Sequence, residues 1–335
     1  MDMERRKIQI TGLSTYTVSL PKAWVVKNKL SAGSEVSIGE QQDGTIGISP
    51  KANPERTKRK TIRADEMQSP EELGRAVLSS YLSGYTLIEI RSKAKITSAQ
   101  HAAISKQRKR LTGIEVVEED DEKVILQDFF SPESLSIERS IARAANISMQ
   151  MLKDLLEALK TGNKDLVANS ANWEEEIDKI FFLIMRQLDL AINNAALMKT
   201  LKLNSSACLT FAFLIKEIEK ISDHTVKLAE QVPSLEKQVP QGVIDELRKL
   251  LELSLKLSAD SISALSKKDN ALATSVLRRQ AEAREIREEV SKKAHSLQHA
   301  QRFAVELMVA DLCSIIKHSA EISEIGIDEI SRSES

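Results

Sequence analysis

The sequence predicts a multidomain, mainly α protein. A C-terminal six-helix bundle of two three-helix repeats follows an N-terminal segment of short strands, with a small α/β module between them. Three observations carry this. Aromatic residues make up 4% of the 335 positions and charged residues 29%, with only 11 Gly and 7 Pro, a composition that favours helices packed through Leu, Ile and Ala. From about residue 133 onward, apolar residues recur three and four apart, the period of an amphipathic helix. Before residue 130 the pattern is one of short alternating runs broken by Gly, Pro and Asp, as strands and turns require.

Residues 1–50 begin with two alternating runs, RKIQIT and TYTVSL, with Gly12 and Ser14 where a turn is needed. Pro21 suits a first helical turn, and KAWVVKN follows it. SAGSEVSIG and GTIGIS then read as a hairpin with Asp43-Gly44 at the bend. KANPERTKRK is a polar, basic linker.

Residues 58–130 predict a βαβαββ module. SPEELGRAVLSSYLSG is a helix capped by Ser69 with Glu72 three residues on. TLIEIRS is a strand, TSAQHAAISKQRKRL a second helix, and TGIEVVEEDDEKVILQDF a hairpin around Asp120-Asp121.

The bundle, 133–335, is broken near Gly162, near Leu203-Asn204, across Val232–Gly242, near Lys268-Asp269 and near 300. Long helices with short connections imply antiparallel neighbours. IEKISDHTVKLAE (218–230) aligns with LCSIIKHSAEISE (312–324) at a spacing of 94, and ALKTGNKDL (158–166) with ALSKKDNAL (264–272) at 106. The agreement in order of the two alignments predicts an internal duplication.

Net charge is −1, but residues 1–60 are basic and the remainder slightly acidic. Two cysteines, Cys208 and Cys313, form neither a disulfide framework nor a Cys-x-x-Cys motif and read as buried small hydrophobes. No apolar run opens the sequence, so no signal peptide is expected, and the run IFFLIM is cut by Arg186 and Asp189, far short of a membrane span. The expected setting is a reducing cytoplasm. Trp24 and Trp173 read as packing residues.

The residues that suggest chemistry are acids. Ile218, Ile221, Thr225 and Leu228 make the seam of one helix, with Glu219 and Asp223 four apart beside it. Trp173, Ile177, Ile180, Ile184 and Leu188 make the seam of another, with Glu174 and Asp178 four apart beside it. Residues at i and i+4 lie over one another on a helix, so two such faces meeting bring four carboxylates together. Left unpaired they repel and desolvate at high cost. A metal ion, a basic side chain, or solvent between splayed helices must answer that charge. A solvated face is the commonest use of such a pair; for a cation, Fe, Mn, Mg, Ca or Zn would suit oxygen ligands. At the two spacings, Glu174, Asp178, Glu219 and Asp223 map onto Gln280, Arg284, Cys313 and Lys317, so any metal site is expected in the first repeat only. His224, which persists as His318 where the acids do not, reads as structural.

EKISDH followed by KLAE resembles the PhoU-type helix signature, usually written E-R-I-x-D-H, within a protein of two three-helix repeats, and EEEIDKIFFLIMRQL resembles the preceding helix. The resemblance covers roughly 133–330. It implies a phosphate-responsive regulator whose acid-x-x-x-Asp motifs bind metal clusters, with Glu174, Asp178, Glu219 and Asp223 as ligand candidates. GLSTYTVSLPKAWVVKNKLSAGSEVSIG resembles the AbrB/SpoVT swapped-hairpin domain through Leu20, Pro21, Lys22, Leu30, Gly33 and Val36. That resemblance implies a barrel interleaved from two chains, hence a homodimer, and DNA binding or an antitoxin role. Such a head on such a bundle is an arrangement associated with archaeal phosphate regulators.

Arg5, Arg6, Lys7, Lys22, Lys27 and Lys29 are the candidates for DNA phosphate contact. The leading expectation is a phosphate-responsive, DNA-binding dimer with one carboxylate metal site. The alternative is an adaptor that docks a phosphate transporter or sensor kinase, its head only dimerising. An enzyme is not expected: there is no Glu-x-x-His pair, Gly-rich phosphate loop or nucleophile elbow, and the histidines are scattered at 101, 224, 295, 299 and 318.

Overall fold

A computed structural model describes residues 4–40, 44–50, 58–235 and 239–333. The chain divides after residue 57 into two compact units. In the first, β1 (Gln9–Thr11) pairs antiparallel with β2 (Thr15–Thr17), α1 (Lys22–Lys27) follows Pro21, and β3 (Val36–Glu40) pairs antiparallel with β4 (Ile46–Pro50). The first two strands are shorter than the alternation predicts. Asp43, placed at the bend of the second hairpin, lies outside the described residues. The two hairpins are separate two-stranded sheets, so the described residues of one chain form no closed barrel. The registers align apolar residues on one face of each hairpin: Ile10 opposite Tyr16, and Ile38 opposite Ile48. None of the described residues of this unit is buried.

The second unit opens with β5 (Arg59–Arg63), α2 (Pro70–Leu82), β6 (Leu87–Arg91), α3 (Ser98–Lys109), β7 (Ile114–Glu119) and β8 (Lys123–Asp128). The sheet order is β5-β6-β8-β7, with β5 and β6 parallel and the other pairs antiparallel. Ser69 caps α2 by accepting from the Glu72 N–H at 3.2 Å. The Glu72 carboxylate accepts from the Gln68 N–H at 2.7 Å, so the return bond goes one residue before the cap. Thr97 and Gln100 form a full capping box on α3.

The helices that follow are α4 (Ile137–Thr161), α5 (Ser170–Ile192), α6 (Ala195–Thr200), α7 (Ser205–Gln231), α8 (Gln241–Lys267), α9 (Asn270–Arg279), α10 (Glu282–Ala294) and α11 (His299–Ser333). Six arms remain as predicted, with α6 a one-turn connector. The middle arm of the second repeat is divided into α9 and α10. Its join is a tightening rather than a bend outward: Ala281, Ala283 and Arg284 donate to carbonyls three residues back, at 3.1–3.4 Å, and Gln280 and Ala281 keep right-handed helical angles.

The duplication is visible in side-chain bonding. His224 Nδ1 on α7 lies 2.8 Å from an Asp311 oxygen on α11, and His318 Nδ1 on α11 lies 2.6 Å from a Glu217 oxygen on α7. A 94-residue spacing separates both the two histidines and the two acids, so each repeat gives the other the same contact across antiparallel helices. The two rings stack at 5.5 Å between centroids. The first arms end alike too: Gly162 after α4 and Lys268 after α8 are both left-handed, at φ +71° and +54°. Glycine meets that requirement without cost; lysine does so against its Cβ.

The bundle core and the α/β core are distinct, and α5 joins them. Ile177, Ile180, Ile184 and Leu188 face the bundle, while Phe182 is buried in the core of the α/β module. Next to it, Arg186 is 1% exposed. It donates to the Tyr81 carbonyl, to the Tyr85 carbonyl at 3.0 Å and to Asp128 at 2.5 Å, and its guanidinium lies over the Tyr81 ring at 4.5 Å. Gln187 donates to the Pro132 and Leu135 carbonyls at 2.7 and 2.9 Å. The polar interruption of the apolar run is therefore the fixture that holds the α/β module on the bundle. Trp173 departs from its predicted packing role: it is 43% exposed in the first turn of α5, and the buried stripe begins at Ile177.

Candidate functional site

α5 and α7 pack side by side through Ile177, Ile180 and Ile184 on one and Ile218, Ile221, Thr225 and Leu228 on the other, all buried. This fixes the rows beside the seams. Oxygens of Glu174, Asp178 and Asp223 come within 4.8 Å of one another. Asp178 is 5% exposed; Glu174 and Asp223 are half-buried.

Glu219, the fourth expected ligand, is not in that group. Its buried carboxylate accepts from Lys216 at 2.9 Å and lies 3.3 Å from Lys220. Part of the reason is local: Lys216, three residues before Glu219, shares its helix face, while the adjacent Lys220 reaches back to Glu219 from the face it shares with Asp223, three residues on. Lys220 also donates to Asp223 at 2.6 Å. Burial works to lower the Lys220 pKa, but the bond to Asp223 and the charges of Glu219 and Asp223 raise it.

A third cation reaches the cluster from outside the bundle. Arg110, at the C-terminus of α3, donates to Asp178 and stacks over Phe182 at 5.2 Å. Even so, burial pushes the Asp178 carboxyl above the usual range, with Glu219 and Asp223 adding to the rise and Arg110 opposing it. Glu174 is raised as well, by burial first and then by Asp178 and Asp223. Three cations facing four acids leave the cluster short of positive charge.

The donor set is all oxygen and convergent, which fits a single hard or borderline cation with water completing its shell. The basic side chains answer part of the charge, as the sequence reading allowed. At the corresponding places in the second repeat, Gln280 lies in the α9–α10 turn, the Cys313 thiol is pushed up by burial, and no convergent acid group occurs among the described residues. Cys208 is buried and Cys313 half-buried. Arg5, Arg6, Lys7, Lys22, Lys27 and Lys29 are all exposed on the first unit. Arg6 donates to Ser19 at 3.3 Å and pairs with Glu4.

Arg110 and Arg186 were missed by the sequence reading. Arg186 had a signal, a lone charge inside IFFLIMRQL. Arg110 sits in the basic run KQRKR, where its neighbours give it no distinction.

Two three-helix repeats thus meet through α7 and α11, with acids facing one another across α5 and α7. Residues 141–232 match the PhoU domain family, and residues 9–56 match the family described as antidote-toxin recognition MazE, bacterial antitoxin. The fold is similar to the crystal structure of PhoU from Pseudomonas aeruginosa, with a TM-score of 0.53 at 16% identity over 60% of this chain and 98% of that one. The phosphate transport system regulatory protein PhoU from Streptococcus pneumoniae gives 0.49 at 16% identity, over 59% of this chain and 94% of that one. Comparison with curated proteins gives no match. The chain therefore carries a PhoU domain behind a MazE/AbrB-like domain.

Proposed function

We propose that the protein is a phosphate-responsive regulator in which the 133–335 bundle carries one carboxylate cation site, and a head at 1–50 dimerises and binds DNA. The α/β module at 58–130 is a fixed accessory of the bundle. The observation that carries the metal reading is the convergence of Glu174, Asp178 and Asp223 within the PhoU-matching segment. A divalent ion held there would supply the missing charge and fasten α5 to α7, with Glu219 available once its lysines turn away. The match of residues 141–232 to the PhoU domain supports a regulatory role for the cluster over an enzymatic one.

The head's reading rests on its exposed apolar faces. Ile10, Tyr16 and Ile38 are 66%, 72% and 66% exposed. A unit this small needs a partner to bury a core, and a second copy offers the same two faces. The solvent-facing lysines and arginines of the head would then be doubled on one dimer.

Elemental analysis of untagged protein, dialysed without chelator, tests the site. Wild type should retain a transition metal or Mg, and Asp178→Ala/Asp223→Ala should lose it. No metal in either, with unchanged helicity, would mean a cation-paired surface and a bundle that acts by docking. In that event the adaptor reading, with a phosphate transporter or sensor kinase as partner, would replace this one.

A further inference from the structure

We propose that Arg110 is a tethered internal cation that competes with a metal ion for the carboxylate cluster, so that the α/β module sets the cation threshold of the bundle. This rests on the cation-site reading above. Arg110 caps the C-terminus of α3, outside the residues that match the PhoU domain. It nonetheless bonds Asp178, the most buried acid of the convergent group.

Several features make its side chain displaceable while its backbone stays put. Leu111 and Ile114 are buried in the α/β core, and the Tyr81 hydroxyl donates to the Thr112 carbonyl at 3.0 Å. The module itself is held by Arg186, two turns beyond Asp178 along α5, and Gln187 fixes the segment that leaves it at Pro132 and Leu135. The Arg110 side chain, by contrast, keeps 30% of its surface exposed. It has a long, rotatable stem and an open way to water. Leaving the cluster therefore requires a change of rotamer and no unfolding.

The competition also discriminates by charge. A monovalent ion offers the cluster no more charge than the guanidinium already there, and lacks its directed N–H donors. A divalent ion offers twice the charge and can bond several carboxylates at once. Arg110 thus excludes monovalent ions and weak divalent binding, and yields to a divalent ion above a set concentration. The apparent affinity falls by the fraction of time the arginine occupies the site. Lys216 and Lys220 come from α7 itself; Arg110 alone among the three couples the site to another module.

Mn²⁺ binding to wild type and Arg110→Gln, measured by equilibrium dialysis, tests this directly. The variant should bind at least about tenfold more tightly, the effect of removing one adjacent unit charge from a carboxylate site. Equal affinity would overturn the competition and leave the cation site standing. No binding to either would overturn the cation site, and the competition with it. A second measurement needs no variant: arginine-selective dicarbonyl labelling of wild type, mapped by mass spectrometry. Arg110 labelling should rise on saturation with Mn²⁺ and stay constant with Na⁺ at equal ionic strength. Unchanged labelling at saturating Mn²⁺ would overturn the displacement even if the variant failed to fold.

Discussion

At the scale of single residues, two arginines at the joint between α5 and the α/β module do opposite work. Arg186 is closed in, meets two carbonyls and Asp128, and anchors a domain. Arg110 is half-open and meets the acid cluster. Removing only Arg186 would leave Asp128, whose side chain is 4% exposed, buried without its partner. Arg186→Met should therefore cost about 3–5 kcal/mol in urea unfolding, and Arg186→Met/Asp128→Leu distinctly less, because the second change removes the stranded charge. A double variant as unstable as the single one would show that the carbonyl bonds, not the ion pair, hold the module. The acids at 174, 178, 219 and 223 were legible because they recur at a fixed spacing beside two seams. The cations that answer them were legible only in part. The spacing of Lys216 three residues before Glu219 was there to be read and was passed over in favour of the acids; the arrival of Arg110 from a different module depends on tertiary docking and has no local signal.

At the scale of elements, periodicity carried most of the fold. The seam at Ile218, Ile221, Thr225 and Leu228 is buried throughout, and the arms start and stop near the predicted breaks. Trp173 fell outside its seam because periodicity does not say where along a helix packing begins. The split of the second repeat's middle arm was likewise hidden, since Gln280 and Ala281 carry no breaker signal. That arm is tied to α8 by Glu246, which is 6% exposed and bonds Lys293 at 2.6 Å and Lys249 at 3.0 Å. The bonds to Lys293 and then Lys249 hold the Glu246 carboxyl below its ordinary value of 4.5. A lowered native pKa means the unfolded chain binds more protons as the medium is acidified, so stability falls with falling pH. Relative to Glu246→Gln, wild type should gain about 1 kcal/mol, given how exposed both lysines are. That gain should be complete above pH 4.5 and vanish as pH drops through the lowered native value. Paired thermal melts from neutral to acid pH would read it; a gap that persists in acid would rule out the ion pairs as its source.

At the scale of the whole molecule, the head and the remainder answer different physical problems. The second unit buries two cores joined by α5; none of the described residues of the first is buried, though its hairpins align Ile10 with Tyr16 and Ile38 with Ile48. On the reading proposed above, a second copy of the chain completes the core that these registered apolar faces leave uncovered. Ile38→Asp should accordingly convert a dimer to monomers in sedimentation equilibrium while leaving the helical content of the bundle intact. If the head also holds DNA, its basic residues act in duplicate, and each phosphate contact releases counterions. Replacing Arg5, Arg6 and Lys7 by Ala removes six charges per dimer and should flatten the slope of log affinity against log salt by up to about 5. Ile38→Asp should weaken DNA retention with the basic residues untouched, since a monomer presents half the contacts. A triple variant that retains DNA as wild type does, beside an Ile38→Asp monomer that also retains it, would leave dimerisation as the head's only role. The regulatory output would then have to pass through the surface of the bundle.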